Sequence, residues 1–194
     1  SCEDIAGWVE ESTTKSLERL GVDRFGALLM HNPQELLGPR AAELYDALVR
    51  LKDQGLVEKV GVSVYGPEEV EALWPHFQFD LVQAPLNVFD RRMATSGWLH
   101  RLHESGTEVH VRSLFLQGLL LMTPTSRPAF FDRWLTLWRA WDGWLDRQAL
   151  TPLHACLGLA MSYEEVDRFV IGVDSLTQLR EIVDLMAREL RDRL

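Results

Sequence analysis

The 194-residue chain is 46% hydrophobic and 25% charged, the profile of one globular domain, residues 1–194, around a single sizeable core. A formal net charge of −9 argues against non-specific binding to nucleic acid or to anionic membranes, and no apolar run approaches the ~20 residues of a membrane span. Residues 1–20 lack the basic start and apolar stretch of a signal peptide, and Cys2 and Cys156 cannot make a disulfide framework and fit a reducing cytoplasm.

In chain order, Ile5, Trp8, Val9, Leu17 and Leu20 recur at helical spacing, with Gly21 as a stop. "FGALLM" (25–30) reads as a strand apolar on both faces. A helix over 41–54 carries Leu44, Leu48 and Leu51 on one stripe and ends at Gly55. "KVGVS" (59–63) is the next strand, and "GPEEVEALW" opens a helix with Pro67 in its first turn. "FDLVQ" (79–83) is a strand, followed by a helix over 94–104 that Gly106 stops. "EVHVR" (108–112) is a strand, and after a long helical insertion "RFVIG" (168–172) is another. Leu176, Leu179, Ile182, Val183, Met186 and Leu190 mark a closing helix. Five successive strand-then-helix units with near-continuously apolar strands predict an α/β fold, a parallel sheet covered by helices.

His31, Ser63, Gln83, Arg112 with Ser113, and residues 172–175 all stand where an apolar strand stops. In parallel α/β folds that edge carries the ligand, so the repeated polar punctuation predicts a barrel mouth or a sheet crevice.

The blocks "SLERLGVDRFGALLMHNP", "LKDQGLVEKVGVSVYGPEEVEAL", "FDLVQAPLNVFDRR", "VHVRSLFLQGLL" and "FVIGVDSLTQLREIV" resemble, in order, the aldo-keto reductase family from the helix before strand 4 to the helix after strand 8 of its (β/α)8 TIM barrel. The resemblance implies an oxidoreductase that passes hydride from NADPH or NADH to an aldehyde or ketone, with sugar-type carbonyl compounds a suitable substrate. It gives His31 the active-site role of hydrogen-bonding the substrate carbonyl. Ser63 and Gln83 meet the cofactor's carboxamide, Arg112 falls where an aromatic residue stacks on the nicotinamide, and Ser113 contacts phosphate. Gln117, Gly172 and Gln178 complete the cofactor-binding set toward the adenosine end.

This chain departs from the family pattern at several positions. Val64 stands where asparagine is common, Arg112 brings a charge in place of an aromatic ring, and Ile182 replaces a residue that is often asparagine. Asp174 lies near the usual position of a base that meets the 2′-phosphate, which makes NADH plausible beside NADPH. The family's catalytic tyrosine, lysine and aspartate belong to strands 2 and 3. None of Tyr45, Tyr65 and Tyr163 sits in that motif, and none of Lys15, Lys52 and Lys59 ends a strand. The sequence therefore reads as a truncated, incomplete barrel of five units, whose open sheet edges invite self-association.

Outside the five blocks, the plainer readings lead. His100 and His103 read as a solvated helix face, since no acidic or cysteine partners stand at ligand spacing, and no metal site is expected. Cys156 reads as a small core residue. Trp134, Trp138, Trp141 and Trp144 form a stripe whose default role is packing, with a partner-binding patch as the rival. The alternatives to a reductase are an inactive nucleotide- or partner-binding half-barrel and a structural half that completes a barrel with another chain.

Overall fold

The computed structural model describes residues 4–192. Cys2, the last two residues of the charged tail and the side chain of Leu190 lie outside the described residues. Helix α1 (Ile5–Leu20) starts at Asp4, whose carboxylate accepts the Gly7 N–H at 2.8 Å, and stops at Gly21 in the left-handed region, φ 65°. Its buried stripe is Val9, Thr13 and Leu17, whereas Trp8 is exposed. Of the expected stripe, Val9 and Leu17 are buried as predicted, while Trp8 and Leu20 stay exposed and Thr13 takes a place in the buried face. Strand β1 (Leu28–Met30) and α2 (Ala41–Asp53) follow, then β2 (Val60–Ser63), α3 (Pro67–Leu73) and β3 (Leu81–Pro85). The helix predicted over 94–104 is broken into α4 (Arg92–Thr95) and α5 (Trp98–Glu104) by Gly97, whose φ of 81° no helix accommodates. Strand β4 (Glu108–Arg112), α6 (Leu135–Gln148), α7 (Pro152–Met161), β5 (Arg168–Val170) and α8 (Leu176–Asp192) complete the order.

All five expected strands are present, and the sheet order β1-β2-β3-β4-β5 follows the chain. β1 pairs parallel with β2 and β2 with β3, in registers that set Met30 against Val62 and Ser63 against Gln83. Parallel neighbours of this kind need a crossover, which the intervening helices supply. β2 is buried along its whole length, which explains why its sequence reads as a continuous small-apolar run. At Gly61 a Cβ would lie 2.4 Å from the Leu81 carbonyl oxygen, so glycine alone lets β2 and β3 approach this closely.

The chain divides into two compact units, one running to Pro85 and including Arg92–His110, the other comprising Leu86–Arg91 and the chain from Val111 onward. In the first, ion pairs tie the N-terminal ends of the strands. Lys52 meets Asp80 at 2.7 Å, Asp80 accepts the Val60 N–H at 2.9 Å, and Lys59 pairs with Glu108.

In the second unit, Trp138, Trp141 and Leu145 of α6 pack with Leu119, Leu120, Ala155 and Cys156. Arg127 grips Asp142 with two bonds of 2.7 and 2.5 Å while its guanidinium lies over the Trp138 ring at 4.5 Å. The tryptophan stripe therefore splits. Trp138 and Trp141 are core at 5% and 6% exposed, whereas Trp134 and Trp144 are 43% and 38% exposed. On α8, among the described residues of the expected apolar stripe, only Ile182 is buried, and Leu176, Leu179 and Val183 are exposed. Among the described residues no helix is long and apolar enough to cross a membrane.

Candidate functional site

In the first unit the parallel register brings His31, Ser63 and Gln83 to the C-terminal ends of β1, β2 and β3. Ser63 is buried, and its hydroxyl donates to Gln83 Oε1 at 3.2 Å, which fixes the glutamine amide in orientation. A flat carboxamide is the natural complement of such an oriented hydroxyl–amide pair. His31 is exposed and stands on the rim of a cavity of about 560 Å³ lined by Trp8, Leu28, Met30, Leu44 and Glu35. Val64, at the position of the missing asparagine, is fully buried and presents nothing polar there.

In the second unit Ser113, Gln117, Gly172 and Gln178 all line one cleft of about 410 Å³, together with Phe115, Asp174 and Glu181. Arg112 is not part of that lining. Its Nη1 donates to Ser113 Oγ at 3.2 Å. The loop that forms one wall is strained, because Ser113, Leu116 and Gln117 hold φ of 63°, 49° and 56°, and Gly118 follows at 84°. Three non-glycine residues in the left-handed region within five positions are unusual, and such strain persists only where surrounding contacts fix the backbone.

Asn87 supplies one of those contacts. It is buried, its Nδ2 donates to the Ser113 carbonyl at 3.3 Å, and its Oδ1 accepts the N–H groups of Phe89 and Asp90 at 3.0 and 2.9 Å. Sequence reasoning passes over Asn87, although an asparagine just past a strand end is the usual mark of such a turn.

The start of α8 is a reciprocal cap. Ser175 Oγ accepts the Gln178 N–H at 3.2 Å, and Gln178 Oε1 accepts the Asp174 N–H at 2.8 Å. This cap is legible in "DSLTQ", where the sequence reading sees Gln178 only as a cofactor contact. The cleft carries two carboxylates, Asp174 and Glu181, and no lysine or arginine among its lining residues.

Elsewhere, His100 and His103 lie exposed on α5. Burial pushes the Cys156 thiol up to about 12, so at neutral pH it is a protonated core residue and not a nucleophile. Each of the three lysines is ion-paired: Lys15 with Glu11, Lys52 with Asp80, and Lys59 with Glu108. The Tyr45 hydroxyl donates to the Gln78 carbonyl, and Tyr65 is exposed.

A model of the aldo/keto reductase family matches residues 3–193. Among curated proteins, a D-threo-aldose 1-dehydrogenase from a Pseudomonas species is 23% identical over 190 residues, a match that covers 94% of this chain and 58% of that protein. Among solved structures, the holo form of an aldo-keto reductase from Bacillus halodurans matches with a TM-score of 0.73 at 20% identity, covering 95% of this chain and 63% of that one. A glycerol dehydrogenase from Gluconobacter oxydans matches with a TM-score of 0.62 at 17% identity, covering 95% and 65%. The chain thus spans 58% of the length of the curated relative it matches. Its fold is that of the family's (β/α)8 barrel, represented by five βα units.

Proposed function

Because the chain belongs to the aldo/keto reductase family, we propose that it serves an NAD(P)H-dependent oxidoreductase reaction in which an aldehyde or ketone is reduced to an alcohol. In this reading the 194 residues act as one cytoplasmic barrel-type domain and supply the cofactor side of the reaction. The observation that carries the proposal is the shared cleft: Ser113 and Gln117, after β4, and Gly172 and Gln178, after β5, line the same 410 Å³ space.

The bound nicotinamide supplies the hydride. In the first unit, the Ser63–Gln83 pair has the hydroxyl–amide form that suits a carboxamide. Ser113, Gln117 and the backbone at Gly172 hold the diphosphate, and the capped start of α8 receives the adenosine end. His31 donates a hydrogen bond to the substrate oxygen, and Arg112 steers the Ser113 hydroxyl. The residues fit an uncharged ribose hydroxyl better than a 2′-phosphate, which would face Asp174 and Glu181 without a cation. The name of the Pseudomonas relative supports a sugar-type carbonyl substrate.

The second reading is a half-barrel that binds a nucleotide or a partner without catalysis, and the three committed lysines favour it for these residues alone. Fluorescence titration with NADH and NADPH tests the cofactor assignment, which the first reading requires. Saturable NADH binding, with NADPH favoured by no more than about tenfold (~1.4 kcal/mol), is the expected result. Asp174→Lys should then raise the NADPH-to-NADH affinity ratio about two- to fivefold, the range of one exposed charge contact. If neither cofactor binds, the cofactor assignment is wrong and the partner-binding reading stands in its place.

A further inference from the structure

The second unit holds a larger pocket that shares no residue with the proposed cofactor cleft. It has a volume of about 590 Å³ and lies between the Val88–Arg91 segment and helices α6 and α7. Its floor and walls are Phe89, Trp141, Trp144 and Leu159. The rings of Trp141 and Trp144 are stacked, 5.6 Å apart at 17°, and Phe89 meets Trp141 edge-on at 6.0 Å. Trp144 remains partly exposed and lines the pocket. Of the two exposed tryptophans of the stripe, Trp144 is therefore a wall of a concavity as well as surface.

The pocket's polar lining residues are few: Arg91, His154 and Ser162, and among the described residues the lining contains no aspartate or glutamate. In a chain of net charge −9, and beside a cofactor cleft with two carboxylates and no cation, that selection is distinctive. A preformed apolar pocket of several hundred cubic ångströms, with a small number of placed polar groups, is the general form of a small-molecule site. Stacked aromatic walls select a flat ring, and a guanidinium at the rim selects an anion.

We propose that this pocket is a second ligand site that takes a planar aromatic carboxylate, its ring against Trp144 and Phe89 and its carboxylate toward Arg91. The site is separate from hydride transfer and does not require cofactor.

Gly158 provides a direct test. It lines the pocket from within α7, and a Cβ there would meet no atom within 4 Å, so the first carbon of a side chain has room at this position. Calorimetric titration of the chain with 2-naphthoate, and with 2-naphthylmethanol as the neutral isostere, should give saturable binding of both, the carboxylate binding more tightly. Gly158→Phe should abolish both signals while the thermal midpoint holds, since replacing a helix-interior glycine adds helix propensity. Arg91→Gln should weaken the carboxylate about tenfold, the scale of one charge-assisted hydrogen bond, and leave the alcohol unchanged. Trp144→Ala, at a partly exposed position outside the buried cluster, should weaken both. No saturable heat, binding undiminished by both Gly158→Phe and Trp144→Ala, or displacement of 2-naphthoate by NADH would each overturn the proposal, the last by assigning the probe to the cofactor cleft.

Discussion

Gly61 carries the tightest steric demand in the sheet, because its missing Cβ is what lets the Leu81 carbonyl approach. Gly61→Ala would put a carbon at 2.4 Å from that oxygen in a strand buried along its length, so β2 and β3 must separate at the register that pairs Ser63 with Gln83. We expect a loss of about 1–3 kcal/mol in urea denaturation, the usual range for overpacking, and with it weaker cofactor binding. An alanine variant as stable as the parent would mean that β2 and β3 do not meet as described.

Cys156 makes a different residue-scale prediction. Its thiol is raised from 9.0 to about 12 by burial, so the unfolded chain loses this proton at a lower pH than the folded one. The sign follows: the contribution is fully present below pH 9 and is lost as pH climbs toward 12. Native protein treated with iodoacetamide near pH 8.5 should keep the Cys156 peptide unlabelled in a mass-spectrometric digest, and denaturant should expose it. Rapid native labelling would show that the site opens to solvent.

At the scale of the elements, the link between the chain after β4 and helix α6 rests on Arg127. Its side chain is only 6% exposed, it is held by Asp142, and it donates to the Met122 carbonyl at 3.2 Å. Asp142→Ala would leave a guanidinium without its counter-charge against Trp138. We expect a cost of about 2–4 kcal/mol, somewhat below that of a fully buried pair because Asp142 is partly accessible. Near-ultraviolet circular dichroism should report the loss through Trp138, and the double variant Arg127→Met, Asp142→Leu should recover much of it. Equal stability of Asp142→Ala and the parent would make the pair ornamental.

The elements themselves were largely legible. A strand buried on both faces leaves a continuous apolar run, and each of the five runs became a strand. The wall of the cleft that Ser113 and Gln117 line was not legible, because its left-handed residues are serine, leucine and glutamine, held there by contacts such as Asn87 to the Ser113 carbonyl. Local sequence carries no sign of conformations that tertiary contacts impose. The stripe of α8 shows the converse: Leu176, Leu179 and Val183 were correctly read as a helix face suited to burial, yet they are exposed. A pattern states what a face could bury, not what lies against it.

At the scale of the whole molecule, the deciding question is which groups can move a proton. Carbonyl reduction needs a hydride donor at the carbon and a hydrogen-bond or proton donor at the oxygen as charge develops there. His31 can donate a hydrogen bond to such an oxygen from the end of β1, but the family's proton donor is a tyrosine beside a lysine. Here all three lysines are bound to carboxylates, and none is joined to a tyrosine hydroxyl. The Tyr45 hydroxyl donates a hydrogen bond to the Gln78 carbonyl, and Tyr65, exposed just past β2, is the nearest candidate. Absence of the acid in a proton-transfer step costs about 10²–10⁴ in rate, and imperfect substrate orientation lowers it further. The 194-residue chain should therefore bind NADH yet show no reduction of a reactive aldehyde above the uncatalysed background, followed through nicotinamide absorbance. Sustained turnover would overturn this and would make Tyr65→Phe the next variant to measure. If that variant were inactive, Tyr65 would be the acid. If it were fully active, His31 would have to carry the proton itself.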